Sequence, residues 1–149
     1  MNQPFYEFTI LDEAYRFEFM SRGKKDILKV ISIAKTDLGH IFMLTLADIR
    51  PDGSLDTKTV SNNGDMEKII ATVFQCVDTF LNRHPYAAVA FTGGEPLRTR
   101  LYQIVLNREL TSLVHRFNVY GINDFGIVPF SSNHSYEGFI VSLKSVIIA

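Results

Sequence analysis

The segment Thr92-Gly93-Gly94-Glu95-Pro96-Leu97-Arg98-Thr99-Arg100 is where this chain comes nearest to ligand chemistry. Two glycines and a proline suited to the first helical position separate an apolar run, Tyr86–Phe91, from an amphipathic stretch starting at Leu97. Bare amide N–H groups at a helix start, with guanidinium groups nearby, can hold a phosphate or carboxylate. The candidate anion site is therefore Gly93, Gly94, Arg98 and Arg100, with Tyr102 four residues beyond Arg98 on one helix face and placed to stack on it. The plainer alternative is a tight turn, surface arginines and an Arg98–Tyr102 pair covering the edge of a core. The segment is no Walker loop, since no Gly-Lys-Ser/Thr follows, and it is not Gly-x-Gly-x-x-Gly. It also lacks the spaced glycines of the acetyl-coenzyme A turn in acetyltransferases.

Asn62, Asn63 and Asp65 make a second polar cluster, readable as a metal or substrate site or, more plainly, as helix caps. The Asp-x-Asp-x-Asp-Gly calcium pattern is absent. His40, His84, His115 and His134 are scattered without ligand spacing, and the lone Cys76 excludes an internal disulfide and a cysteine zinc cage. Neither a metal nor a cofactor is expected. Cys76 falls mid-helix beside Val77 and reads as a buried, inert thiol. No Gly-x-Ser-x-Gly elbow occurs, and Asp48, Asp52 and Asp56 read as ordinary turn acids. No catalytic constellation emerges.

The elements that must position these residues follow from periodicity. Tyr6, Phe8 and Ile10 alternate with polar residues, as do Tyr15, Phe17 and Phe19, which predicts strands with one buried face. Ile27–Ala34 and Ile41–Leu46 continue an antiparallel meander of four strands, with a short fifth expected near Thr57–Val60. Met66, Ile69, Ile70, Val73, Val77, Phe80 and Leu81 then recur at helical spacing, and Pro85 ends that helix. After a strand at Tyr86–Phe91, a second helix buries Leu97, Leu101, Ile104 and Val105, breaks around Asn107-Arg108-Glu109, and resumes over Leu110–Arg116. Strands return at Asn118–Ile122, Ile127–Phe130 and Gly138–Ile147, with a polar loop at Ser131–Tyr136. The fold class is α+β: a mostly antiparallel sheet with two main helices packed on one face. This order resembles an acetyltransferase-like layout, an analogy of order that transfers no activity.

A chain of 149 residues fits a single domain, 1–149, and its 46% hydrophobic content supports a real core. Lys and Arg number 15 against 16 Asp and Glu, so broad attraction to nucleic acid or an anionic membrane is not expected. Met1–Glu7 lacks the basic start and apolar core of a signal peptide, and no apolar run approaches the ~20 residues of a membrane span. A cytoplasmic location is the expectation.

Ser61-Asn62-Asn63-Gly64-Asp65 leading into Lys68–Val73, and Phe91-Thr92-Gly93-Gly94 leading into Arg98–Tyr102, together resemble a family of small Bacteroidetes proteins known only as a domain of unknown function. The resemblance extends over the aromatic N-terminal strands and Tyr136-Glu137-Gly138-Phe139. It implies this fold and no activity. Family members carry a small hydroxyl residue where this chain has Glu95 after Gly94, which adds negative charge at the turn. The resulting expectation is a small bacterial interaction or regulatory protein without catalysis, acting on a protein partner or by self-association. The first alternative is binding or transfer of a small anionic ligand at Gly93–Arg100. The second is local nucleic-acid binding through Arg98, Arg100, Arg108 and Arg116, which the balanced charge disfavours.

Overall fold

Alternating side chains build the meander that the first third of the chain predicts. The computed structural model describes residues 4–57, 63–92 and 96–148, with Leu97 described in its backbone only. Strands β1 (Thr9–Leu11), β2 (Arg16–Arg22), β3 (Asp26–Lys35) and β4 (Ile41–Ile49) pair antiparallel in sequence order. In β2, Phe17, Phe19 and Ser21 are buried between half-buried neighbours, the period-two signature of a one-faced strand. The Pro51–Ser54 turn closes with Arg50 N–H donating to Ser54 O at 2.9 Å. Leu55 and Asp56 thereby come opposite Ile49 and Asp48 as β5 (Leu55–Asp56). The fifth strand thus precedes the expected Thr57–Val60, of which residues 58–60 lie outside the described residues.

Helix α1 (Met66–Arg83) then carries the chain across the sheet to β6 (Ala88–Phe91), which runs parallel to β4 from Ile41↔Ala88 to Leu44↔Phe91. All four residues of β6 are buried, as a strand with a neighbour on each side and cover on both faces requires. Helix α2 (Pro96–Leu113), β7 (Phe117–Asn123), β8 (Gly126–Pro129) and β9 (Gly138–Leu143) complete the chain. Among the described residues the nine strands form one mixed, mostly antiparallel sheet in the order β1-β2-β3-β4-β6-β9-β7-β8, with β5 on the far end of β4.

Both helices cover one face, as expected. Phe17, Ile31, Phe42, Val89, Phe91 and Phe139 from the sheet form one core with Ile69, Val73 and Phe80 of α1 and Tyr102, Val105 and Leu106 of α2. The opposite face carries a smaller cluster around Ile41, Ala88, Ala90, Tyr120 and Ile140. Burying the seven-residue apolar stripe of α1 contributes on the order of 10–20 kcal/mol before chain entropy is subtracted.

Two expectations about the second half are corrected. Helix α2 runs unbroken through Asn107-Arg108-Glu109. Arg108 there reaches Glu67 at 3.3 Å and Glu109 at 3.7 Å, so the lapse in apolar pattern marks a solvated face rather than a helix end. Strand β9 stops at Leu143 instead of reaching Ile147. Val146 O accepts from Asn118 Nδ2 at 2.8 Å and from Ser142 Oγ at 2.6 Å, which turns the last residues back on the sheet.

Candidate functional site

Helix geometry decides how the residues of the diglycine segment are shared out. Positions i and i+2 lie about 200° apart around an α-helix, so Arg98 and Arg100 point to different sides of α2. Arg98 faces inward with only 8% of its surface exposed, in line with Tyr102, Val105 and Leu106 at the i, i+4, i+7, i+8 spacing of a buried stripe. The core stripe of α2 is therefore turned from the expected Leu97-Leu101-Ile104-Val105 line. Of those four, Val105 is buried, Leu101 is half-buried, Ile104 is 46% exposed, and the Leu97 side chain lies outside the described residues. Arg98 and Tyr102 do share a face, but it is the core face.

Tyr102 is fully enclosed between aromatic rings, 5.2 Å from Phe91 and 6.4 Å from Phe74 by centroid, both edge-on. Burial pushes its hydroxyl pKa up to about 12, and the Arg98 charge offsets part of that rise. Cys76 is likewise buried and its thiol pKa is raised by burial, which keeps it protonated and unreactive as expected.

Arg100 belongs to a second stripe of α2, with Gln103, Ile104 and Asn107 at i, i+3, i+4, i+7. That stripe forms one wall of an open groove of about 850 Å³. The other wall is the segment before β9, through Ser135, Tyr136 and Glu137, and the groove reaches Thr92 at the carboxyl end of β6. Ligands commonly enter open sheets outside the carboxyl ends of parallel strands, and β6 is one member of the sheet's parallel pair.

Backbone space fixes this second wall. Across the sheet, Ile33, Leu44, Phe91, Phe139 and Gly121 stand side by side in register. A Cβ on Gly121 would sit 2.2 Å from the Tyr136 ring, so the glycine is what lets that ring lie on the strand. Tyr136 also holds Ser131, accepting from its N–H at 2.9 Å and donating to its carbonyl at 3.2 Å. Gln103 Nε2 donates to His134 O and ties the loop to α2.

The side chains of Arg100, Asn107, Ser135 and Glu137 make no hydrogen bond or ion pair among the described residues. The groove thus presents a guanidinium, an amide, a hydroxyl and a carboxylate, none of them bonded to another described side chain or backbone group. Arg108 and Arg116, in contrast, hold Glu67 and Asp78, and Arg98 is buried. Of the four arginines considered for nucleic acid, Arg98 is turned into the core, and Arg100, Arg108 and Arg116 are exposed. Gly93, Gly94 and Glu95 lie outside the described residues.

The second polar cluster has a different character. Asp65 stands at the N-cap position of α1, yet its carboxylate caps nothing. Instead Asp65 Oδ2 accepts from Tyr6 Oη at 2.6 Å and from Ser21 Oγ at 2.5 Å. Asn63 donates through Nδ2 to Ser21 Oγ and Lys25 O, and its Oδ1 accepts from Lys25 N–H at 2.8 Å. Burial raises the Tyr6 hydroxyl pKa, with the Asp65 bond adding to it. These residues clamp the β2–β3 hairpin and the N-terminal segment onto α1, and Asn62 falls outside the described residues. Thr72 of α1 is buried and accepts from Tyr6 N–H at 2.9 Å.

The turn acids also divide. Asp48 ion-pairs with Lys29 at 2.6 Å, the lysine side chain being only 3% exposed, and Asp56 pairs with Arg50 at 3.3 Å. Asp52 closes its own turn on Ser54, and those bonds lower its pKa. Among the described residues no group of three or more His, Cys, Asp or Glu gathers as a metal site, and no helix is long and apolar enough to cross a membrane. Sequence reasoning found Arg100 but missed Thr99, Gln103, Asn107, Ser135 and Glu137. Gln103 and Asn107 were signalled only by their i+3 and i+7 spacing from Arg100, which an apolar search passes over, and Ser135 and Glu137 reach the groove from a distant segment that spacing does not reveal.

Fold and site together define an α+β protein with an open, polar, charge-bearing groove beside its second helix. The chain belongs to a family of unknown function, DUF6934, whose profile matches residues 2–144. No curated protein and no solved structure matches it.

Proposed function

We propose that this protein binds a small anionic ligand in the groove between α2 and the Ser131–Glu137 loop, with Arg100 as the anchor. One observation carries the reading: Arg100 lines a groove of ligand size and has no ion-pair partner among the described residues. An 850 Å³ groove falls within the ~300–1,000 Å³ range of small-molecule sites. The positive end of α2 begins at Pro96 on the same groove and adds to the attraction for an anion. This reading takes up the first alternative from the sequence, a small anionic-ligand-binding protein, in place of the noncatalytic interaction protein. We place that role in the bacterial cytoplasm, where the lone Cys76 thiol stays reduced.

Thermal-shift screening against nucleotides, coenzyme A and phosphosugars tests it. A true ligand at a hundredfold excess over its Kd raises the melting temperature of the wild type by roughly 5–10 °C. Arg100→Ala is expected to abolish the shift. A ligand that stabilises Arg100→Ala as much as the wild type would overturn the reading. Arg98 is unsuited to this test, because its substitution disturbs the core.

A further inference from the structure

Glu137 is the feature of the groove that a purely anionic ligand does not explain. It enters from the segment just before β9, while Arg100 enters from α2, and both are exposed to the same space. Arg100 and Glu137 carry opposite charges into one groove, yet no ion pair joins them. Elsewhere Arg16, Arg22, Arg50, Arg108 and Arg116 hold carboxylates, while Arg83, at the end of α1 and outside the groove, holds none among the described residues. Arg100 and Glu137 stay apart and pair with no described residue.

An anion held at Arg100 would be repelled by Glu137, whereas a ligand that also carries a cation turns that repulsion into a second attraction. We infer that the groove takes a zwitterionic small molecule, its anionic group on Arg100 and an ammonium group on Glu137. This rests on the reading of the groove as a ligand site. Ile104 supplies an apolar contact for a short aliphatic linker between the two charges. Asn107 and Ser135 offer an uncommitted amide and hydroxyl for the linker's polar substituents. The shared chemistry is an acid and an amine in one short molecule, and the acid is either a phosphate or a carboxylate.

Two matched pairs of probes separate these features. O-phosphoethanolamine and glycerol phosphate share the phosphate and differ in the ammonium; γ-aminobutyrate and butyrate do the same for a carboxylate. Each is titrated calorimetrically into the wild type, Glu137→Gln and Arg100→Ala, with unfolding midpoints checked for all three proteins. In at least one pair the aminated member is expected to bind the wild type at least tenfold more tightly. Glu137→Gln should erase that preference and leave the other member bound equally well or better. A preference that is absent, or that survives Glu137→Gln, overturns the zwitterion while loss of binding in Arg100→Ala keeps the groove reading. Equal binding by Arg100→Ala and the wild type, or no binding to the wild type, overturns both.

Discussion

The polar clusters beside the two helices draw on similar residue types and use them in opposite ways. Before α1, Asn63 and Asp65 engage Tyr6, Ser21 and Lys25, so the cluster is tied into the fold. Beside α2, the side chains of Arg100, Asn107, Ser135 and Glu137 line a groove and make no hydrogen bond or ion pair among the described residues. Either cluster, read as residue types, could be a site. What separates them is whether hydrogen-bonding capacity is used internally. Committed polar groups stabilise the fold, and uncommitted ones in a concave surface are available to a ligand.

Substitutions should therefore separate stability at one place from binding at the other. The largest loss is expected from Gly23→Ala, because a Cβ there would lie 1.8 Å from the Asn63 carbonyl oxygen and push the hairpin off its clamp. Overpacking of this kind costs about 3 kcal/mol, read as a lower urea midpoint. Asp65→Ala leaves the Tyr6 and Ser21 hydroxyls without their acceptor and should cost about 2–3 kcal/mol in the same assay, with ligand affinity unchanged. A smaller effect comes from pH. Tyr102 holds its proton up to about pH 12 in the fold but only to about 10 when unfolded, so its share of stability is full below pH 10 and lost as pH rises through 12. Alkaline titration of stability should be less steep in Tyr102→Phe, while Cys76, shifted in the same direction, keeps its own share. Arg100→Ala should move the unfolding free energy least, by no more than about 0.5 kcal/mol, while removing ligand binding.

Much of the architecture was legible because burial and period agree. Phe17 and Phe19 in β2, and Ile69, Val73 and Phe80 in α1, announce their faces by spacing alone. The rotation of α2 was not legible. Its apolar residues are spread around the helix, so Leu97-Leu101-Ile104 competed with Tyr102-Val105-Leu106, and the aromatic pocket of Phe74 and Phe91 decides between them. The site was half legible for the same reason. Arg100 could be named, but a partner from the Ser131–Glu137 loop becomes its neighbour only through the β7–β9 pairing and the space above Gly121. The Asp65 clamp was hidden because its partners lie 44 and 59 residues away in sequence.

The most direct test measures unfolding free energy and ligand response together in Arg100→Ala and Asp65→Ala. Arg100→Ala should keep the wild-type midpoint and lose the ligand-induced shift, and Asp65→Ala should lose stability and keep the shift. An Arg100→Ala protein that melts as early as Asp65→Ala, or that answers ligand as the wild type does, would contradict the division of labour between the two polar clusters.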